Sequence, residues 1–106
     1  MAWAFLLVAG LLEVVWAFLM KLSDGFSRPI PTVGTILVMI ASFGLLSLAM
    51  RTLPLGTAYV VWTGIGAVGA FLVGMIFLQE PVSLLRIVAA VLIVSGLVLM
   101  KMTSTS

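Results

Sequence analysis

The run Ala2-Trp3-Ala4-Phe5-Leu6-Leu7-Val8-Ala9-Gly10-Leu11-Leu12-Glu13-Val14-Val15-Trp16-Ala17-Phe18-Leu19-Met20 decides the fold. It is nineteen residues long, apolar throughout except at Glu13. A helix that crosses the hydrocarbon core of a bilayer needs about 20 predominantly apolar residues. The run ends at Lys21, and the segment that follows, Ser23-Asp24-Gly25 and Arg28-Pro29-Ile30-Pro31, is rich in turn formers and basic.

Three more runs of the same kind follow: Thr32 to Met50, Thr57 to Leu78, and Leu84 to Met100. Pro29 and Pro31 stand just before the second, where helix starts tolerate proline. Arg51-Thr52-Leu53-Pro54-Leu55-Gly56 reads as a tight turn. Gln79-Glu80-Pro81 closes the third run, and Ser83 is placed to cap the fourth. Lys101 and a Ser/Thr tail end the sequence. The expected architecture is an all-α integral membrane domain over 1–106, with spans at 2–20, 32–50, 57–78 and 84–100. The connectors leave no room for a domain outside the membrane. No segment alternates polar and apolar residues as barrel strands do.

Composition points the same way. Of 106 residues, 64% are hydrophobic and 8% charged, and the mean hydropathy is +1.43. A soluble domain this small needs a polar surface that so few charges cannot supply. The residues before the first run, Met1-Ala2-Trp3, lack the basic start of a signal peptide, and three more apolar runs follow, so the N-terminus reads as retained. With no cysteine and no histidine, disulfides, thiolate metal sites and the usual metal ligand are excluded. No metal or cofactor is expected. A net charge of +2, scattered along the chain, does not describe a nucleic-acid surface.

The loop charges set the expected topology. One side carries the N-terminus, Arg51 and Lys101; the other carries Lys21, Arg28 and Arg86. A bias of one basic side chain allows insertion in both orientations, and hence an antiparallel, dual-topology homodimer. The alternative is a single orientation set by some other feature.

Seven of the eight charges lie in connectors or at the ends of spans, and Glu13 is the exception. A carboxylate near the bilayer midplane costs at least ~2.5 kcal/mol to insert, so it should face a protein-lined or watery cavity. Burial penalises its charged form, whereas a bound cation favours it, so proton and cation compete for one group. The plainer alternative is a neutral carboxylic acid that joins two helices by a hydrogen bond, a task that glutamine would perform equally well. Gly10, Trp16, Ala17 and Met20 share the face of Glu13. Trp16 lies too deep for an interfacial tryptophan. Tyr59 and Trp62 stand one turn apart in the third run, with Gly66 a turn further on. An aromatic pocket with one carboxylate suits an organic cation, although these rings also serve as bulky packing or interface residues. Ser42, mid-way along the second run, either bonds back to its own helix or orients Glu13. Gly64-Ile65-Gly66-Ala67-Val68-Gly69-Ala70 allows close helix approach and weakens the third helix, so Gly64 and Gly66 read either as a hinge or as packing positions. Ser95-Gly96 marks a small-residue surface suited to a dimer contact.

Gly10-x-x-Glu13, Ala41-Ser42-Phe43, Tyr59-x-x-Trp62-x-Gly64-x-Gly66 and the small-residue fourth helix, in this order and spacing, resemble the small multidrug resistance family of proton-coupled exporters. The resemblance covers essentially the whole chain. Trp16 three residues after Glu13, the Trp62–Ala70 stretch, Glu80-Pro81 and Lys101 resemble the guanidinium-exporting branch rather than the quaternary-ammonium one. The resemblance implies an antiparallel homodimer in the cell inner (plasma) membrane. In it, proton and guanidinium bind in alternation at a site lined by both Glu13 carboxylates, with Tyr59 in the site and Ser42 and Trp62 in a network around the glutamate. Guanidinium is planar, offers paired N–H donors to a carboxylate and can stack on Trp16 or Trp62. The expected activity is therefore transport rather than catalysis: proton-coupled export of guanidinium and small substituted guanidinium ions. Three alternatives are a broad quaternary-ammonium exporter, for which Trp16 leaves little room; an anion channel, against which a buried carboxylate argues; and an accessory subunit that needs another chain.

Overall fold

The computed structural model describes residues 1–103; the Ser/Thr tail at 104–106 lies outside them. Four helices run in chain order: α1 (Ala2–Leu22), α2 (Pro29–Ala49), α3 (Leu55–Phe77) and α4 (Leu84–Thr103). All four are long and apolar enough to cross a membrane.

Helix ends depart from the expected bounds for local reasons. α2 starts at Pro29, not Thr32, so both prolines lie in its first turn. The first N–H groups of a helix have no intrahelical acceptor, so proline loses nothing there. Arg28 before it is extended, with φ −100° and ψ 121°, as the residue preceding a proline tends to be. α3 likewise opens directly after Pro54, two residues earlier than the composition suggested. α4 continues past Lys101 to Thr103, and its first turn is capped as expected, the Arg86 N–H donating to Ser83 Oγ at 3.2 Å. Between α1 and α2, Asp24, Gly25 and Phe26 all adopt positive φ. The buried Ser23 stabilises this turn: its hydroxyl donates to the Met20 carbonyl at 2.6 Å and accepts the Phe26 N–H at 3.0 Å.

α1 packs against α2 and α3, whereas α4 leans on α3 and fully buries none of its residues. A cation–π contact places Lys101 Nζ 4.5 Å from the centre of the Trp3 ring and ties the end of α4 to the start of α1. The core is confined to one end of the bundle. Leu6 and Ala9 of α1 meet Leu46 and Ala49 of α2, with Leu53, Ala58, Val61 and Trp62 from the turn and the start of α3. Beyond Gly10, α1 has no fully buried residue. Glu13 therefore stands where the packed end gives way to the open one.

Candidate functional site: a buried carboxyl between α1 and α3

Glycines bring α1 and α3 together. A Cβ on Gly10 would meet the Ile65 side chain at 2.7 Å, one on Gly66 would overlap the Glu13 carboxyl, and one on Gly69 would overlap Val14. Each is filled by a side chain of the facing helix, so the seam closes only because these positions carry hydrogen alone. Gly64 faces the other way, and its missing side chain is replaced by Leu97 of α4, 2.6 Å from where a Cβ would stand. α3 passes through Gly64 and Gly66 as one uninterrupted helix. In this conformation the two glycines serve close approach, one to the carboxyl and one to α4.

Glu13 Oε1 is sealed from solvent and has no hydrogen-bond partner, and the indole N–H of Trp16, one turn along α1, is in the same condition. Buried polar groups without partners are uncommon and costly. The open acceptor at Glu13 calls for a donor or a cation, and the open donor at Trp16 calls for an acceptor.

Ser42 bonds neither back to its own helix nor to the Glu13 carboxyl. Its hydroxyl donates across the interface to the Ala9 carbonyl of α1 at 2.7 Å, and accepts the Trp62 indole N–H at 3.0 Å. α-Helical register directs the N–H of Glu13 to that same Ala9 carbonyl. Ser42 thus touches the backbone that carries Glu13, not its carboxyl, and fixes the Trp62 ring. Ser42 and Trp62 are both buried.

The aromatic rings form a continuous chain. Trp16 meets Phe43 edge-on with ring centres 6.3 Å apart, Phe43 lies 5.5 Å from Trp62, and Trp62 lies 5.8 Å from Tyr59. Tyr59 is exposed at the end of the row. Phe43 is the member that residue spacing missed. It follows Ser42 directly and so should point away from it, but a ring wide enough to span two helices reaches both tryptophans. No cluster of three or more metal-ligating side chains occurs among the described residues.

Four apolar helices long enough to cross a membrane, with a carboxyl held unpartnered at their centre beside a row of aromatic rings, define a multi-pass membrane protein built around one ionisable group. A family model described as Small Multidrug Resistance protein matches residues 1–104, and the chain belongs to that family. Relatives in Citrobacter freundii and Salmonella typhimurium, each called "Guanidinium exporter", are 53% identical over 104 residues, which is 98% of this chain and 99% of theirs. One from Yersinia pseudotuberculosis with the same name is 52% identical over 98% of this chain and the whole of its own.

Proposed function

We propose that the chain is a proton-coupled antiporter that exports guanidinium and small substituted guanidinium ions, working in the inner membrane as an antiparallel homodimer. The observation that carries this reading is Glu13 Oε1, a hydrogen-bond acceptor buried without a donor one turn from the Trp16 ring. A protonated Glu13 is neutral and tolerable there. A guanidinium ion replaces the proton by offering two parallel N–H donors to the two carboxylate oxygens. Its flat face stacks on the aromatic row that begins at Trp16. Only one of the two ligands fits the carboxyl at a time, and this exclusion couples their fluxes in opposite directions. The name shared by the relatives supports the choice of substrate.

Trp16, Tyr59 and Trp62 frame the cation, and Ser42 orients Trp62 and the Glu13 backbone. Gly64 and Gly66 give α3 a weak point at the level of the site, where the helix can flex as the two subunits exchange conformations. The balanced loop charges support insertion in both orientations.

The test is proton release. Guanidinium added to the purified, detergent-solubilised chain in weakly buffered solution near neutral pH should acidify the medium, and the Glu13→Gln variant should not. Guanidinium binding without proton release across pH 6–8 would contradict the competition.

A further inference from the structure

The two ends of the bundle differ in how they close. The core fills the end that holds Leu6, Ala9, Leu46 and Trp62. At the other end a groove of about 170 Å³ opens between α1 and α3. It begins at Val14, the residue after Glu13, runs along Ala17 and Ala70, and ends between Lys21 on α1 and Glu80 beyond α3. A water occupies about 30 Å³, so the groove has room for a small planar ion with waters around it.

Glu80 is turned into this groove by a specific fold of the chain. Gln79 takes a left-handed conformation, φ 54°. The Glu80 N–H then donates to the Gly74 carbonyl at 3.1 Å, which also accepts the Leu78 N–H at 3.1 Å. The turn lays the Glu80 side chain back along α3, and its carboxyl covers Gly74, where any Cβ would overlap it. Termination of α3 accounts for the backbone of this turn, in which a left-handed residue lets a following N–H satisfy a last-turn carbonyl, but not for the charge it lays there. The end of a helix carries partial negative charge, and a carboxylate laid against it is unfavourable. A cation in the groove reverses that sign. The one cationic side chain on the groove's walls is Lys21.

We infer that Glu80 is an outer station for the transported cation: it draws a guanidinium-type ion into the α1–α3 groove, whose inner end is one residue along α1 from Glu13, and Lys21 competes with that ion for the same carboxylate. The inference rests on the reading of the chain as an exporter of such cations. Two carboxylates then lie on one helix seam, an exposed one that collects and a buried one that exchanges. Because Glu80 and Lys21 are both exposed, their influence is electrostatic and screened by salt.

The experiment measures initial rates of guanidinium transport against its concentration, in proteoliposomes of the purified full chain at low ionic strength. Glu80→Gln should raise KM about three- to fivefold with kcat little changed, the size an exposed charge pair sustains. Lys21→Gln should move KM the opposite way. Both shifts should shrink in 0.5 M sodium chloride, where the Debye length is roughly 4 Å against about 30 Å in dilute buffer. Proton release per bound guanidinium should be the same in all three proteins. An unchanged KM in Glu80→Gln, a fall in its kcat alone, or a raised KM in Lys21→Gln overturns the inference. If the unaltered chain carries no guanidinium, the transport reading falls and takes this inference with it; if it does and Glu80→Gln matches it, only the inference falls.

Discussion

The carboxyl of Glu13 occupies the space that a side chain on Gly66 would fill. α1 and α3 meet there with nothing on α3 but backbone, and the carboxyl is pressed into the seam with Oε1 closed off from solvent. The arrangement makes Gly66 part of the site although it has no functional group.

Gly66→Ala should displace the carboxyl and part α1 from α3. Overfilling a packed interface costs about 1–3 kcal/mol. We expect guanidinium affinity to fall at least tenfold, with a lower melting temperature in detergent. Gly44→Ala is the control: its Cβ would meet nothing within 4 Å, and replacing a helical glycine stabilises by about 0.5–1 kcal/mol. Titration calorimetry and thermal melts on both variants check the pair.

Ser42→Ala removes the hydroxyl that bridges Trp62 Nε1 and the Ala9 carbonyl. The indole N–H is then buried without an acceptor, at a cost of about 1–3 kcal/mol. Loss of stability and weaker substrate binding should appear together, because the same ring borders Phe43 and Tyr59. Ser42→Thr keeps the hydroxyl and should retain more of both than Ser42→Ala does. Tryptophan fluorescence, read with and without guanidinium, follows the ring directly.

Trp16→Ala should open the pocket beside Glu13 and remove a stacking face and a free donor. Guanidinium transport should drop by about tenfold, in line with a cation–π contact of ~1–2 kcal/mol away from water. Bulkier aromatic cations should gain entry that the indole denies them. Competition by tetraphenylphosphonium in the transport assay reads both effects at once.

The pH dependence has a definite sign. Only the ionised carboxylate attracts the cation, so apparent guanidinium affinity should fall as pH falls and the proton reclaims Glu13. The slope should approach one proton per Glu13 displaced at low pH and flatten at high pH. Glu13→Gln should bind weakly at every pH with no slope, as equilibrium titrations at several pH values will reveal.

The helices were legible in the sequence because length and hydropathy alone define a membrane span, and the Ser83 cap was legible from local chemistry. The start of α2 was displaced because a proline in the first turn has the same local signature as one just before it. Glu13 and Trp16 were identifiable as a unit, since three-residue spacing places both on one helix face. The link from Ser42 to Trp62 came only with the family resemblance, not from the residue pattern. The partners of Ser42, Ala9 and Trp62, come from two other helices, and no pattern within α2 encodes the angle at which helices cross. Phe43 was missed for the same reason. The glycines of α3 suggested flexibility or close approach, and only the facing side chains distinguish Gly66, which receives the carboxyl, from Gly64, which receives Leu97.

The central claim is that proton and guanidinium exchange through one carboxyl. The most direct measurement is guanidinium movement in proteoliposomes that contain only this chain, with an imposed pH gradient and no guanidinium gradient. Guanidinium should accumulate in the acidic compartment, moving opposite to the protons, and Glu13→Gln should abolish the accumulation. Guanidinium flux that ignores the pH gradient, or that survives Glu13→Gln, would contradict the account.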